Sequence, residues 1–512
     1  MNRLSLQALW IRLGLLLGIS ALGLNGCGAS PVPLPGLKSI PVSSSLDTKA
    51  RRTAVEKLNG RLDSMLETLR KEVGAPGLAA AIVVDGEVIW RGGVGLADTE
   101  AKVPMTPTVV GRAASVTKVL TGVALLIMRD AGQLSLDDPV ATYVPEIAEV
   151  LYPSQDSPRI TVRHLVTHSA GLPRLGELDY VTRADEGPTE AEVLKGLRGL
   201  ALESEPGHRV TYSNLGAALA GIVVSRVSGM SYEAFVNSQI LGPLGMKSSA
   251  WSSAGYAKER MAKGYPKPDI GLVAEHHWRF GAANAAGGLY LDVEDLARFA
   301  RFQLSAWPPS DEADSGLLRR GSIRESHRLA GGGYGGGGHG VFWLVSKAGR
   351  IGHLVGHTGA TDKYSSSVFL APEKGVGVVV MANLGMGVTD GIAGKLLAVV
   401  AAALEPGPMA IPPPLLKGLE RVTAMVASPT ADAVRTHVAS AYRAQIPESA
   451  FVGLFQQLAN ATRACKVGAP IEIRDATLGR FWVECEGVRF RLGLGVEPEA
   501  PHSIIYLELK PE

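Results

Sequence analysis

Charge of one sign is missing from this chain. Its 512 residues carry 51 lysines and arginines against 49 acidic residues, a formal net charge of +2, so no bulk field draws it to nucleic acid or to an acidic membrane surface. Nucleic acid is therefore not an expected partner. Cysteine is scarce, with three in the sequence. The N-terminal apolar run, Leu13 to Leu24, is too short to cross a bilayer comfortably. The glycine-rich run from Gly331 to Gly338 lacks the Lys-Ser/Thr of a phosphate-binding loop and is expected to be a flexible surface loop. His164 and His168 are four apart, as are His353 and His357, but neither pair has the Glu that follows the first His in a zinc-protease helix. No metal and no cofactor is expected. His168 is expected to buttress the fold near the site instead, and His353 to lie on the strand leading into His357.

What is present reads as a globular, exported protein. Apolar residues make up 46% and charged residues 20%, and a chain of this length exceeds what one core usually organises, so two domains are expected. Arg3 and Arg12 precede and flank the apolar run as a positive n-region, the pattern of an export signal. The run ends in Leu24-Asn25-Gly26-Cys27, which resembles the lipobox of bacterial lipoproteins. That resemblance implies a signal peptide over residues 1–27, lipidation of Cys27, and a membrane anchor on the periplasmic face of the bacterial cell envelope. Gly28 in place of Asp favours the outer membrane. Residues 28–50, rich in Pro and Ser from Ala29 to about Ser45, read as a flexible linker. Once Cys27 is set aside, Cys465 and Cys485 remain. They are either a disulfide of an exported protein or two buried apolar cysteines.

The spacing of Leu58, Leu62, Met65, Leu66 and Leu69 predicts an amphipathic helix over Val55 to Val73. Asp85-Gly86-Glu87 between Ala79–Val84 and Val88–Trp90 predicts a hairpin. A second hairpin is expected from Ser366–Leu370 and Val376–Met381, followed by an Ala-rich helix from about Thr389 to Leu404. Between the hairpins the pattern is mainly helical. The expected fold class is α+β: one antiparallel sheet built from both ends of a catalytic domain over residues 51–404, flanked by helices, with an all-helical subdomain. Prolines over 405–414 read as a linker, and residues 415–512 as a small α+β domain whose strands are Phe481–Cys485, Val488–Leu492 and Ile504–Leu509. Arg489 and Arg491 alternating with Phe490 and Leu492 imply one wet face.

The chemistry centres on Ser115-Val116-Thr117-Lys118, which opens a helix with Val116, Val119, Leu120, Val123, Leu126 and Ile127 on its core face. Three residues of helical spacing place Ser115 beside Lys118, and a serine hydroxyl needs such a neighbouring base to become a nucleophile. Ser-x-x-Lys alone is a frequent chance pattern. Here Tyr212-Ser213-Asn214 and His357-Thr358-Gly359 follow in the order of the Ser-x-x-Lys, Tyr-x-Asn and Lys-Thr-Gly or His-Thr-Gly boxes of the serine β-lactamase and penicillin-binding protein family. Two further segments resemble shared stretches of that family: Leu165–Pro173, and Ala286–Tyr290 with Asp295–Phe299.

The resemblance covers roughly Val55 to Leu404 and implies roles residue by residue. Ser115 is the nucleophile, Lys118 holds or takes its proton, and Tyr212 is the general base and acid. Tyr212 as a mere hydrogen-bond donor in a two-member Ser-Lys site is the alternative. Asn214 orients the substrate or Lys118. His357 stands where many relatives have Lys, Thr358 and Gly359 lie on a strand edge that pairs with substrate, and the backbone N–H groups of Ser115 and Ala360 form the oxyanion hole. The implied function is acyl transfer to water from a small-molecule or peptide substrate, cell-wall fragments included. His in that box resembles DD-peptidases and D-aminopeptidases, which ranks peptides above esters and esters above β-lactams. The rival class is an inert penicillin-recognising module that binds or scaffolds.

Overall fold

The computed structural model describes residues 48–176, 187–266, 279–309, 314, 316–332, 337–385, 387–404, 411–461, 466–473, 477–485 and 488–511. The expected signal peptide, Cys27, most of the 28–50 linker, Cys465 and residues 405–410 lie outside them.

The Asp85-Gly86 turn forms as its residue types require. Asp85 has φ +48° and Gly86 φ +80°, and the turn joins β1 (Gly77–Val84) to β2 (Glu87–Asp98). Short β3 (Val103–Pro104) continues from β2, and β4 (Gly111–Arg112) pairs with β5 (Tyr290–Leu291). Between β4 and β5 the chain is helical, with Thr117–Asp130 and Asn214–Ser228 the longest segments. Late in the domain come β6 (Gly331–Gly332), β7 (Gly338–His339), β8 (Leu344–Ala348), β9 (Gly352–Ala360), β10 (Ser365–Ala371) and β11 (Val376–Ala382). They join the first hairpin in one nine-stranded sheet of order β3-β2-β1-β11-β10-β9-β8-β7-β6. The two hairpins meet as expected, through antiparallel pairing of β1 with β11 in the register Ala80 to Val380.

Both faces of that central pair are covered, which is why β1 reads as an unbroken apolar run. Ala79, Ala81 and Val83 point into one core with the Thr117–Asp130 and Val293–Leu304 helices. Leu78, Ala80, Ile82 and Val84 point into the other, against the Asn59–Val73 and Thr389–Ala403 helices. Each fully buried Leu, Ile or Val contributes roughly 1.5–3 kcal/mol by leaving water.

Four details differ from expectation. The first helical segment is two helices, Thr48–Glu56 and Asn59–Val73, broken just before Asn59-Gly60, a poor helix-forming pair. The ends of the glycine run, expected as loop, are paired as β6 and β7; glycines with no side chain to alternate hide that pairing. Pro413 and Pro414, expected within the 405–414 linker, form the first turn of the Pro413–Ala427 helix, where a missing N–H costs nothing. The tail has a fourth strand. Its sheet runs β12 (Lys466–Ile473), β13 (Leu478–Cys485), β14 (Val488–Val496), β15 (Ile504–Pro511) in that order. Pro470 interrupts β12 and shifts its register, an arrangement open to an edge strand. Its core, from Leu415, Leu419, Phe451, Phe455, Phe481, Leu492 and Leu494 among others, is drawn from the tail alone. Arg489 and Arg491 are exposed while Leu492 is buried, as the alternation implied.

Candidate active site

Ser115 lies in a single 3-10 turn, Ala114–Val116, which runs into the Thr117–Asp130 helix. Ala114 has φ +46°, a left-handed conformation that costs an L-residue roughly 1–2 kcal/mol. Hydrogen bonds from three directions hold it. The Ala113 N–H donates to Leu289 O (2.9 Å), Thr117 Oγ1 donates to Ala114 O (2.7 Å), and Ser366 Oγ of β10 donates to Ala113 O (2.6 Å). The turn thereby leaves Ser115 only half-buried while its neighbours are buried.

Lys118 is fully buried one turn along. Its Nζ stands 2.7 Å from Asn214 Oδ1, 2.6 Å from Ala286 O and 3.1 Å from Ser115 Oγ. Lys118 Nζ donates to all three oxygens, and in its neutral form two N–H groups still satisfy Asn214 Oδ1 and Ala286 O while the lone pair is free to take the Ser115 hydroxyl hydrogen. Burial, and secondarily the positive field of Arg174, hold the Lys118 pKa well below the usual lysine value. Geometry and electrostatics thus agree on a lysine able to take the Ser115 proton.

Tyr212 faces this pair. Lys118 Nζ is 4.9 Å from the centre of its ring. The segment carrying Tyr212 is stitched to the stretch containing His168: Thr211 N–H donates to His168 O (2.7 Å), Ser213 N–H to His168 Nδ1 (3.2 Å), Ser213 Oγ to Pro173 O (2.8 Å), and Asn214 N–H to Arg174 O (2.7 Å). Ser213 also caps the Asn214–Ser228 helix by accepting the Gly216 N–H, which fixes Asn214 in the first turn. His168, with φ +56°, packs its ring 4.5 Å from that of Tyr212.

The third wall is β9. Its pairing with β8 stops at Gly356, so residues 357–360 are paired only with β10 among the described strands. Thr358 is half-buried and Ala360 exposed along that open edge. Gly359 is required where β9 crosses the Ala114–Val116 turn: a Cβ there would sit 2.2 Å from Ala113 O and 3.1 Å from Ser115 N. Ser115, Lys118, Asn214, Tyr212, His357 and Gly359 are thus linked by close contacts, and Thr358 and Ala360 share the β9 strand with His357 and Gly359.

The family model for Beta-lactamase matches residues 62–403. The chain belongs to the beta-lactamase family. Its curated relatives include Protein flp of Staphylococcus aureus (strain MW2), 28% identical over 329 residues, 63% of each chain. Another is Beta-lactamase-like protein 2 of Dictyostelium discoideum, 32% identical over 265 residues, covering 50% of this chain and 47% of that one. The chain thus matches less than two thirds of the length of these relatives. Among solved structures, an octameric penicillin-binding protein homologue from Pyrococcus abyssi superimposes with a TM-score of 0.55 at 22% identity, over 88% of this chain and 98% of that one. A class C beta-lactamase gives 0.54 at 20%, over 71% and 97%. These two likenesses show the shared fold. Membership of the beta-lactamase family supports a serine-hydrolase type of function for this chain.

His357 brings no positive charge to the site. It is 2% exposed, and its Nδ1 lies 2.7 Å from Thr358 O, which can only accept, so Nδ1 carries the hydrogen and Nε2 is a bare lone pair. Burial, helped by Lys118, pushes its pKa down to about 3, leaving a neutral ring. A further histidine, His339 of β7, was not anticipated from sequence. It is buried edge-on against His168 at 5.0 Å, with its pKa pushed down to about 4 by burial. Nothing in the glycine-rich stretch before it signals that position.

Proposed function

We propose that this protein is a serine hydrolase that works through an acyl-enzyme on Ser115, with peptides containing D-residues as its first substrate class, esters second and β-lactams third. The observation that carries the reading is the hydrogen-bond set around Lys118, two acceptor-only oxygens and one hydroxyl at 2.6–3.1 Å. Ser115 Oγ attacks the carbonyl carbon and its proton passes to Lys118 Nζ. The carbonyl oxygen, now negative, is received by the Ser115 and Ala360 backbone N–H groups; one such donor is typically worth about 10²–10³ in rate. The proton then passes through Tyr212 to the leaving nitrogen or oxygen as its bond to carbon breaks. Water attacks the acyl-enzyme by the same route in reverse, giving an acid and free Ser115.

The open edge of β9 supports the peptide ranking, because an extended chain can pair with it as an added strand. The test is a panel of a D-Ala-D-Ala peptide, a p-nitrophenyl ester and nitrocefin on wild type and Ser115→Ala. Turnover fastest on the peptide and lost in the variant is expected. No turnover of any member and no labelling by fluorescent penicillin or a fluorophosphonate would leave an inert recognition module.

A further inference from the structure

Four groups that could carry charge surround the Tyr212 ring among the described residues: Lys118, His168, His357 and Arg174. Three are buried and poor partners for a substrate anion. The Lys118 nitrogen is used by Asn214, Ala286 and Ser115, and burial keeps His168 and His357 neutral. Arg174 differs. Its guanidinium carbon lies 5.2 Å from the ring centre, the residue is exposed, and no carboxylate among the described residues pairs with it. The backbone beneath it is fixed, since Arg174 O accepts the Asn214 N–H and the adjacent Pro173 O accepts Ser213 Oγ. A planar cation stacked on an aromatic face keeps its edge N–H groups free for a bidentate carboxylate.

Resting on the hydrolase reading above, we propose that Arg174 is the specificity residue of this site and selects substrates carrying a carboxylate close to the scissile carbonyl. The carboxylate can belong to the acyl portion or to the leaving portion; the chemistry that recognises it is the same, and the substrates chosen below separate the two.

The experiment compares kcat/KM within two matched pairs: 4-nitrophenyl hydrogen glutarate against 4-nitrophenyl acetate for an acyl-side carboxylate, and acetyl-D-Ala-D-Ala against its C-terminal amide for a leaving-side one. Wild type is expected to favour the anionic member of at least one pair. In Arg174→Gln that preference should fall by about tenfold, expressed in KM, as a lost charge-assisted pair implies. Arg174→Lys should recover part of it. A preference that survives Arg174→Gln within twofold, or wild type showing none in either pair, overturns the inference while leaving the hydrolase reading standing. Wild type that turns over none of the four substrates overturns both.

Discussion

Replacing Gly359 by alanine tests whether the close crossing of β9 over the nucleophile turn sets the geometry of catalysis. The added Cβ would meet Ala113 O at 2.2 Å, Ser366 Oγ at 2.5 Å and Ser115 N at 3.1 Å. Ordinary carbon–oxygen contacts begin at about 3.3 Å, so β9 and the turn must separate by roughly 1 Å. Neither side can yield cheaply: Ala113 O is held by Ser366 Oγ, and Ala113 N–H by Leu289 O. Overpacking of this kind costs about 1–3 kcal/mol, and a misplacement of about 1 Å at a reacting centre costs about 10²-fold in rate. The expected result for Gly359→Ala is a folded protein that melts several degrees lower, with kcat/KM and the labelling rate of Ser115 down by about two orders of magnitude. Turnover within threefold of wild type, with the melting temperature unmoved, would refute the reasoning.

On the proposed mechanism Lys118 takes the Ser115 proton as a neutral amine, and because its pKa is held below the usual lysine value, the active fraction grows as pH rises through that pKa. A log kcat/KM profile should show an acid limb set by this group, and Lys118→Arg, which stays protonated, should lose at least about 10³-fold at every pH tested. His168→Phe leaves the Ser213 N–H without its acceptor; denaturant unfolding should register a loss of about 1–3 kcal/mol, with kcat falling more than KM rises because Tyr212 loses its support. Truncation after Leu404 should leave a soluble domain that still labels at Ser115, since the tail's apolar core is drawn from its own residues; insoluble or unlabelled protein would show that the tail completes the catalytic core.

Sequence was most informative where local chemistry decides the structure. The Asp85-Gly86 turn, the apolar runs of β1 and β11 and the Ala-rich Thr389–Ala403 helix each have one good local solution, whereas the pairing of β1 with β11 joins segments about 300 residues apart and no local pattern specifies it. The Ser115-x-x-Lys118 box was legible because Tyr212-Ser213-Asn214 and His357-Thr358-Gly359 follow it in the order of the family's boxes. What holds that lysine in place was not, because its partners Asn214 and Ala286 lie 96 and 168 residues away. β12 was hidden by Gly468 and Pro470, residues that oppose a strand reading and are tolerated at a sheet edge. His339 and Arg174 carry no local pattern; each acquires its place only when the chain folds its histidine-bearing and Tyr212-bearing segments together. The neutrality of His357 is likewise a consequence of burial, which the His-Thr-Gly box does not report.

The central claim is that Ser115 becomes covalently acylated with Lys118 as its proton acceptor. The most direct measurement is mass spectrometry of peptides from the full chain after brief reaction with a fluorophosphonate and, separately, with benzylpenicillin. A single adduct is expected on the peptide containing Ser115, abolished in Ser115→Ala and slowed at least about 10³-fold in Lys118→Ala. An adduct on another serine, or full-rate labelling of Ser115 in Lys118→Ala, would contradict it.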